Sequence, residues 1–105
     1  MSYISATPFK INNMELKNRI IMLAMHTGFA TGGQLTDQDM AFFEQRANSG
    51  AAAITQVCGV SEYGAADNMP NVKEESFFER EKAINDMIHN SGTKHIVQLF
   101  HRGRN

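Results

Sequence analysis

Apolar residues along the chain gather in short runs, separated by polar stretches rich in glycine and asparagine. Phe9–Ile11 and Met14–Leu16 are two alternating segments on either side of Asn12-Asn13. Asparagine tolerates positive φ, so this pattern predicts a tight β-hairpin. A lone hairpin is marginal in water, so it is expected to cap a larger core. Arg19–Met25 is a continuous apolar run, too short for a typical helix, and reads as a strand buried on both faces. The glycine-rich stretch HTGFATGGQL that follows reads as a loop.

Thr36 and Asp39 have the spacing of a helix start, in which hydroxyl and carboxylate satisfy the first free N–H groups. Met40, Phe43 and Ala47 then recur at helical spacing, and Gly50 is the expected stop. Ala51–Val57 reads as a second strand, and Cys58–Val72 as a loop of turn formers. Ser76 and Glu79 repeat the helix-start spacing. Ala83, Ile84, Met87 and Ile88 form the stripe of a second helix ended by Gly92. His95–Phe100 is a third strand, followed by His101-Arg102-Gly103-Arg104-Asn105.

The predicted order is thus hairpin, β, α, β, α, β. Strands alternating with amphipathic helices imply a parallel sheet, found in doubly wound open sheets and in (β/α)8 barrels. Neither Gly-x-Gly-x-x-Gly after a strand nor Gly-x-x-x-x-Gly-Lys-[Ser/Thr] occurs, so the common nucleotide fingerprints of open sheets are missing.

Composition narrows the function classes. Ten basic residues against 11 acidic ones leave a net charge of -1. That balance argues against a nucleic-acid partner and against an acidic solvating tail. Cys58 is the single cysteine. No intrachain disulfide or multi-thiolate zinc site can form, and a reducing cytoplasmic location is expected. No apolar run approaches the roughly 18 residues of a membrane span, and no secretory signal opens the sequence, so no membrane association is expected. Seven Met and seven Phe with no Trp read as adaptable core filling.

Ligand-binding residues in either fold follow the C-terminal ends of parallel strands. That rule selects Met25, His26 and Thr27 after the first strand, Cys58 and Gly59 after the second, and Gln98 with His101, Arg102 and Arg104 at the third. His26 suits a general acid, a hydrogen-bond donor or a metal ligand, or else a solvent-facing loop residue. The four histidines lack compact ligand spacing, so no metal site is expected. His89, near a helix C-terminus, reads as structural. Gln98 offers a donor and an acceptor inside an apolar strand, fitting either the edge of a heterocycle or a satisfied core amide. Arg102 and Arg104 suit an anionic group or a solvated chain end. Cys58 reads as a small buried hydrophobe rather than a reactive thiol.

Three stretches together resemble one family. PFKINNMELKNRIIMLAM is similar to the opening of the Old Yellow Enzymes, the FMN-dependent NADH:flavin oxidoreductases. FFEQRANSGAAAITQ resembles that family's first helix and second strand. HNSGTKHIVQLFHRGRN carries its Gln-Leu-x-His-x-Gly-Arg signature at Gln98–Arg104. The resemblance implies a TIM (β/α)8 barrel with FMN at its C-terminal mouth. It implies hydride transfer from NAD(P)H onto FMN and then to a small-molecule electron acceptor such as an activated alkene. It also implies roles for site residues. Ala24 and Met25 would line the flavin through their backbone, and His26 would lie beside the ring. Gly59 would approach the flavin edge, and Gln98 would bond the pyrimidine portion. Two positions depart from the family pattern: Ala24 stands where Pro is common, and His26 where Cys or Thr is frequent.

A typical barrel needs about 250 residues. The 105 residues here hold the hairpin and βαβαβ, three of the eight strands, as a single partial domain. The expectation is either a fragment of a longer protein or a truncated gene product. The later strands would carry the family's substrate-anchoring pair, proton-donating Tyr and phosphate loops. The chain alone is therefore expected to be inactive, and its uncovered apolar surface to drive association into a homo-oligomer. The alternative to the enzyme is a non-enzymatic α/β remnant acting as an interaction module.

Overall fold

A computed structural model describes residues 3–103 of the chain. After a short 3-10 turn at Ile4–Ala6 come β1 (Phe9–Ile11), β2 (Met14–Leu16), β3 (Ile21–Met22), α1 (Asp37–Ala47), β4 (Ala53–Gly59), α2 (Phe77–Asn90) and β5 (Lys94–Phe100). The fold is mixed α/β: an antiparallel hairpin, and a parallel three-stranded sheet in the order β3-β4-β5.

The hairpin has the predicted bounds, with Ile11 paired to Met14 across the turn. Asn12 takes φ 50, the left-handed conformation this turn demands. The hairpin caps the sheet. Leu16 packs with Ala52 and Ala53 in a small buried cluster. The Lys17 ammonium reaches the Thr93 hydroxyl at 3.2 Å, and the Asn18 amide donates to the Gly50 carbonyl at 2.7 Å. These contacts fasten the hairpin beneath the N-terminal ends of β4 and β5.

The main core lies between the sheet and both helices. Ile54 and Cys58 of β4 meet Phe43 and Ala47 of α1 and Phe77, Ile84 and Ile88 of α2. The α1 start forms as expected: the Asp39 carboxylate accepts the Thr36 N–H at 2.9 Å. The α2 start does not. Ser76 already has helical dihedrals (φ -65, ψ -17) and no side-chain cap bond. A backbone turn instead leads in, with the Phe77 N–H donating to the Glu74 carbonyl at 3.0 Å, while the Phe77 ring anchors the helix in the core.

Other boundaries also shift. The first strand contracts from Arg19–Met25 to Ile21–Met22, because only Ile21 and Met22 pair with β4. The second strand moves to Ala53–Gly59, so Cys58 and Gly59 lie within it rather than after it. Ala83 is exposed, and half-buried Glu81 takes the stripe position between Phe77 and Ile84.

Candidate functional site

The C-terminal ends of the three parallel strands lie side by side. Val57 of β4 is in register with Gln98 of β5, and Gly59 with Phe100. Ala24, just past β3, packs with Phe100 against a cluster of Val57, Ala65 and Met69. The expected residues Ala24, Gly59 and Gln98 therefore gather at one end of the sheet.

Gln98 is exposed rather than enclosed in a core. β5 is an edge strand here, and edge position decides burial more than apolar neighbours do. Met25 is 61% exposed and projects away from the packed core. His26 is exposed too, and its Nε2 sits 3.3 Å from the Asn68 carbonyl. That bond ties the segment after β3 to the loop after β4. Beneath it, Met25, His26, Thr27, Asp39, Gln56 and Pro70 line a cleft of about 10 Å³, room for a single water.

Gly59 is buried, and a Cβ there would lie 2.5 Å from the Ala65 Cβ and 3.2 Å from the Asn71 amide nitrogen. The loop after β4 therefore demands glycine at this position by itself, a steric reason that the sequence reading assigned to the flavin edge. Asn71 organises that loop. Its amide donates to the Ser61 carbonyl at 2.8 Å, and its oxygen accepts the Lys73 N–H at 3.0 Å. Sequence reading passed over Asn71 among many turn formers. Its signal was the Pro70-Asn71 pair, since Asn commonly bonds the backbone two residues on.

The residues after β5 are partly structural. The His101 ring covers Gly64, where a Cβ would collide with it. The Arg102 N–H donates to the Gly64 carbonyl at 2.8 Å and its Nε to the Tyr63 carbonyl at 3.2 Å. Arg104 lies outside the described residues. His89 lies exposed in the last turn of α2. Burial pushes the Cys58 thiol up to about 12, with the Glu81 carboxylate adding to the effect. That is the behaviour of a packed hydrophobe, not a nucleophile. Among the described residues no group of three or more His, Cys, Asp or Glu is placed to hold a metal ion. No helix among them is long and apolar enough to cross a membrane.

A parallel βαβαβ sheet whose ligand-competent side chains gather at the strand C-termini defines an α/β protein of the class that includes open sheets and barrels. The chain belongs to the NADH:flavin oxidoreductase / NADH oxidase family, which matches residues 6–105. It is 34% identical over 99 residues to a metal reductase of Desulforamulus reducens, covering 93% of this chain and 15% of that protein. It is 31% identical over 102 residues to an NADH:fumarate oxidoreductase of Klebsiella pneumoniae, covering 92% of this chain and 11% of that protein. The solved Old Yellow Enzyme from Trypanosoma cruzi superposes with a TM-score of 0.84 at 25% identity, over 96% of this chain and 28% of that one. The chain thus spans well under a third of the length of each.

Proposed function

We propose that this chain forms one wall of an FMN site in a full-length protein that takes hydride from NAD(P)H and delivers it to a small-molecule acceptor such as an activated alkene. The observation that carries this reading is the exposed Gln98 amide. It has no hydrogen-bond partner among the described residues, and stands in register with Val57 beside Ala24. A free donor and acceptor on an apolar floor fit a planar heterocycle with a polar edge.

The residues present fit such a group. Gln98 would hold the polar edge through its amide. Ala24 and Met25 offer backbone and apolar surface. His26 stands at the rim, its Nε2 3.3 Å from the Asn68 carbonyl. Gly59 lets the loop after β4 close over the end of that strand. Bound FMN supplies the hydride chemistry, and the protein supplies orientation and electrostatics. Which acceptor is used, and the choice between NADH and NADPH, belong to parts of the protein beyond these strands. A cytoplasmic setting suits the single buried thiol.

Flavin titration of the full-length protein tests this reading. Saturable FMN binding followed by bleaching of flavin absorbance with NAD(P)H is expected. Failure to take up FMN contradicts it.

A second reading rests on a specific observation: Leu23 is 78% and Leu99 65% exposed. Such residues on an open sheet edge drive association. The 105-residue chain by itself is therefore expected to form homo-oligomers and not to turn over NAD(P)H. Sedimentation as a monomer, or flavin-dependent NAD(P)H oxidation by the isolated chain, contradicts this.

A further inference from the structure

The layer between the sheet and α2 contains polar groups that the flavin reading does not use. Glu81 continues the buried stripe of α2, in series with Phe77, Ile84 and Ile88, where an apolar residue is the norm. Its side chain is 14% exposed, and both carboxylate oxygens lack a hydrogen-bond partner. Opposite it, His95 of β5 has a side chain only 2% exposed, with Nε2 3.5 Å from Glu81 Oε1. The same Nε2 lies 2.9 Å from Gln56 Oε1, and Nδ1 lies 3.0 Å from Asn85 Oδ1. Gln56 Nε2 is buried without a partner.

A buried ion pair repays its desolvation only if the geometry is good and the remaining lone pairs are satisfied. Here 3.5 Å is long and the carboxylate has no donor at bonding distance, so a charged Glu81–His95 pair is the poorer arrangement. A neutral imidazole donates from one nitrogen and accepts at the other. It faces two amide oxygens, so one of the two amides must present its NH2 instead, by a half-turn about its terminal bond.

Two chains are then open to these groups once Glu81 and Gln56 close on one another. With a proton on Glu81, its O–H donates to Gln56 Oε1, the Gln56 NH2 to His95 Nε2, and His95 Nδ1–H to Asn85 Oδ1. Without that proton every bond reverses. The Asn85 NH2 donates to Nδ1, Nε2–H donates to Gln56 Oε1, and the Gln56 NH2 turns to the Glu81 carboxylate. The Glu81–Gln56 link is the one not closed to bonding distance in this structure, although Gln56 is near enough to act on the Glu81 carboxyl, and closing it would give the Gln56 amide and Glu81 a partner.

We propose that Glu81, Gln56, His95 and Asn85 form a reversible hydrogen-bond relay joining α2 to β4 and β5, whose direction is set by one proton on Glu81 and read out as the tautomer of His95. Burial chiefly, with Asp39 of α1 adding, lifts the Glu81 carboxyl to about 7, while Gln56 opposes the shift. Burial, with His89 of α2 adding, holds His95 down at about 4. From β4, Cys58 also faces Glu81, and its thiol stays protonated. The switch thus falls near neutrality with His95 uncharged on both sides of it. Gln56 also lines the cleft beneath His26, so its turning reaches the mouth of the sheet. The relay does not depend on flavin being the ligand there.

The test is 15N spectroscopy of the histidine ring nitrogens in the full-length protein, with His95→Gln to assign the signals. At about pH 5.5 the Nδ1–H tautomer is expected, and at about pH 8.5 the Nε2–H tautomer, with no imidazolium at either. Glu81→Gln, which has no proton to lose, is expected to show one tautomer at both values. An imidazolium in the folded protein at about pH 5.5, or one unchanged tautomer throughout the wild-type titration, overturns the proposal. The wild-type titration decides the matter even if Glu81→Gln fails to fold.

Discussion

β4 and β5 are neighbouring parallel strands of seven residues each, paired along their whole length. Their sequences, AITQVCG and KHIVQLF, are about equally apolar in their central residues. Yet β4 is buried at every position except the half-buried Thr55, while Ile96, Val97, Gln98 and Leu99 of β5 are all exposed. Successive strand residues point to opposite faces, so four exposed in a row means that β5 lacks cover on both faces over Ile96–Leu99. The difference comes from place in the sheet. β4 is flanked by strands on both sides, by helices on one face, and by the hairpin and the loop after β4 on the other. β5 is an edge. Stability is concentrated in β4, and the surface available to a ligand or to further chain lies on β5.

The sharpest way to break that contrast is to cut one large side chain from each strand. Ile54→Ala removes a fully buried group from the main core, and should lose about 2–5 kcal/mol in denaturant unfolding. Leu99→Ala should stay within about 0.5 kcal/mol, as exposed substitutions do. Equal losses would mean that β5 is as packed as β4.

A smaller effect is expected where β4 meets its loop. Gly59→Ala places a Cβ 2.5 Å from that of Ala65, and should cost about 1–3 kcal/mol through overpacking. Removing the Ala65 Cβ relieves that contact, so Gly59→Ala with Ala65→Gly should recover most of the loss. No recovery would place the strain elsewhere.

The polar residues that join the two strands set a pH dependence whose sign follows from their shifts. Glu81 rises from 4.5 to about 7. The folded state keeps a proton that the unfolded chain releases, so this contribution is full below about 4.5 and is lost as pH rises through about 7. His95 falls from 6.5 to about 4. The unfolded chain takes up a proton that the folded state refuses, so its contribution is present above 6.5 and is lost as pH falls through about 4. Between 4.5 and 6.5 the two slopes oppose, one proton each. Glu81→Gln should expose the His95 slope, so the thermal midpoint of the variant should drop relative to wild type as pH is lowered across that window. Parallel midpoints for the two proteins would contradict the assignment.

The same contrast explains what was legible in the sequence. The hairpin was clear because Asn12-Asn13 and the flanking alternation are local signals. α1 was clear because Thr36 and Asp39 do form their cap. The first strand was overestimated because an apolar run does not reveal where its pairing partner stops. Ser76-Glu79 had the spacing of a cap, but a backbone turn at Glu74 filled that role. Glu81 escaped notice because a charged residue on an apolar stripe looks like a solvated position until its partners Gln56 and His95, from two other elements, are in place. Gln98 stood out as a polar residue in an apolar strand, but its exposure depends on which strand lies beyond it, and no local pattern contains that.

The central claim is that the exposed face of β5 holds the cofactor through Gln98, and it is tested by FMN binding to full-length wild type and Gln98→Ala. Loss of a hydrogen-bonding partner for a buried heterocycle edge should cost about 1–3 kcal/mol, read as FMN affinity weakened by about 5- to 150-fold or as a shifted flavin potential. FMN affinity and reduction potential both unchanged in Gln98→Ala would contradict it.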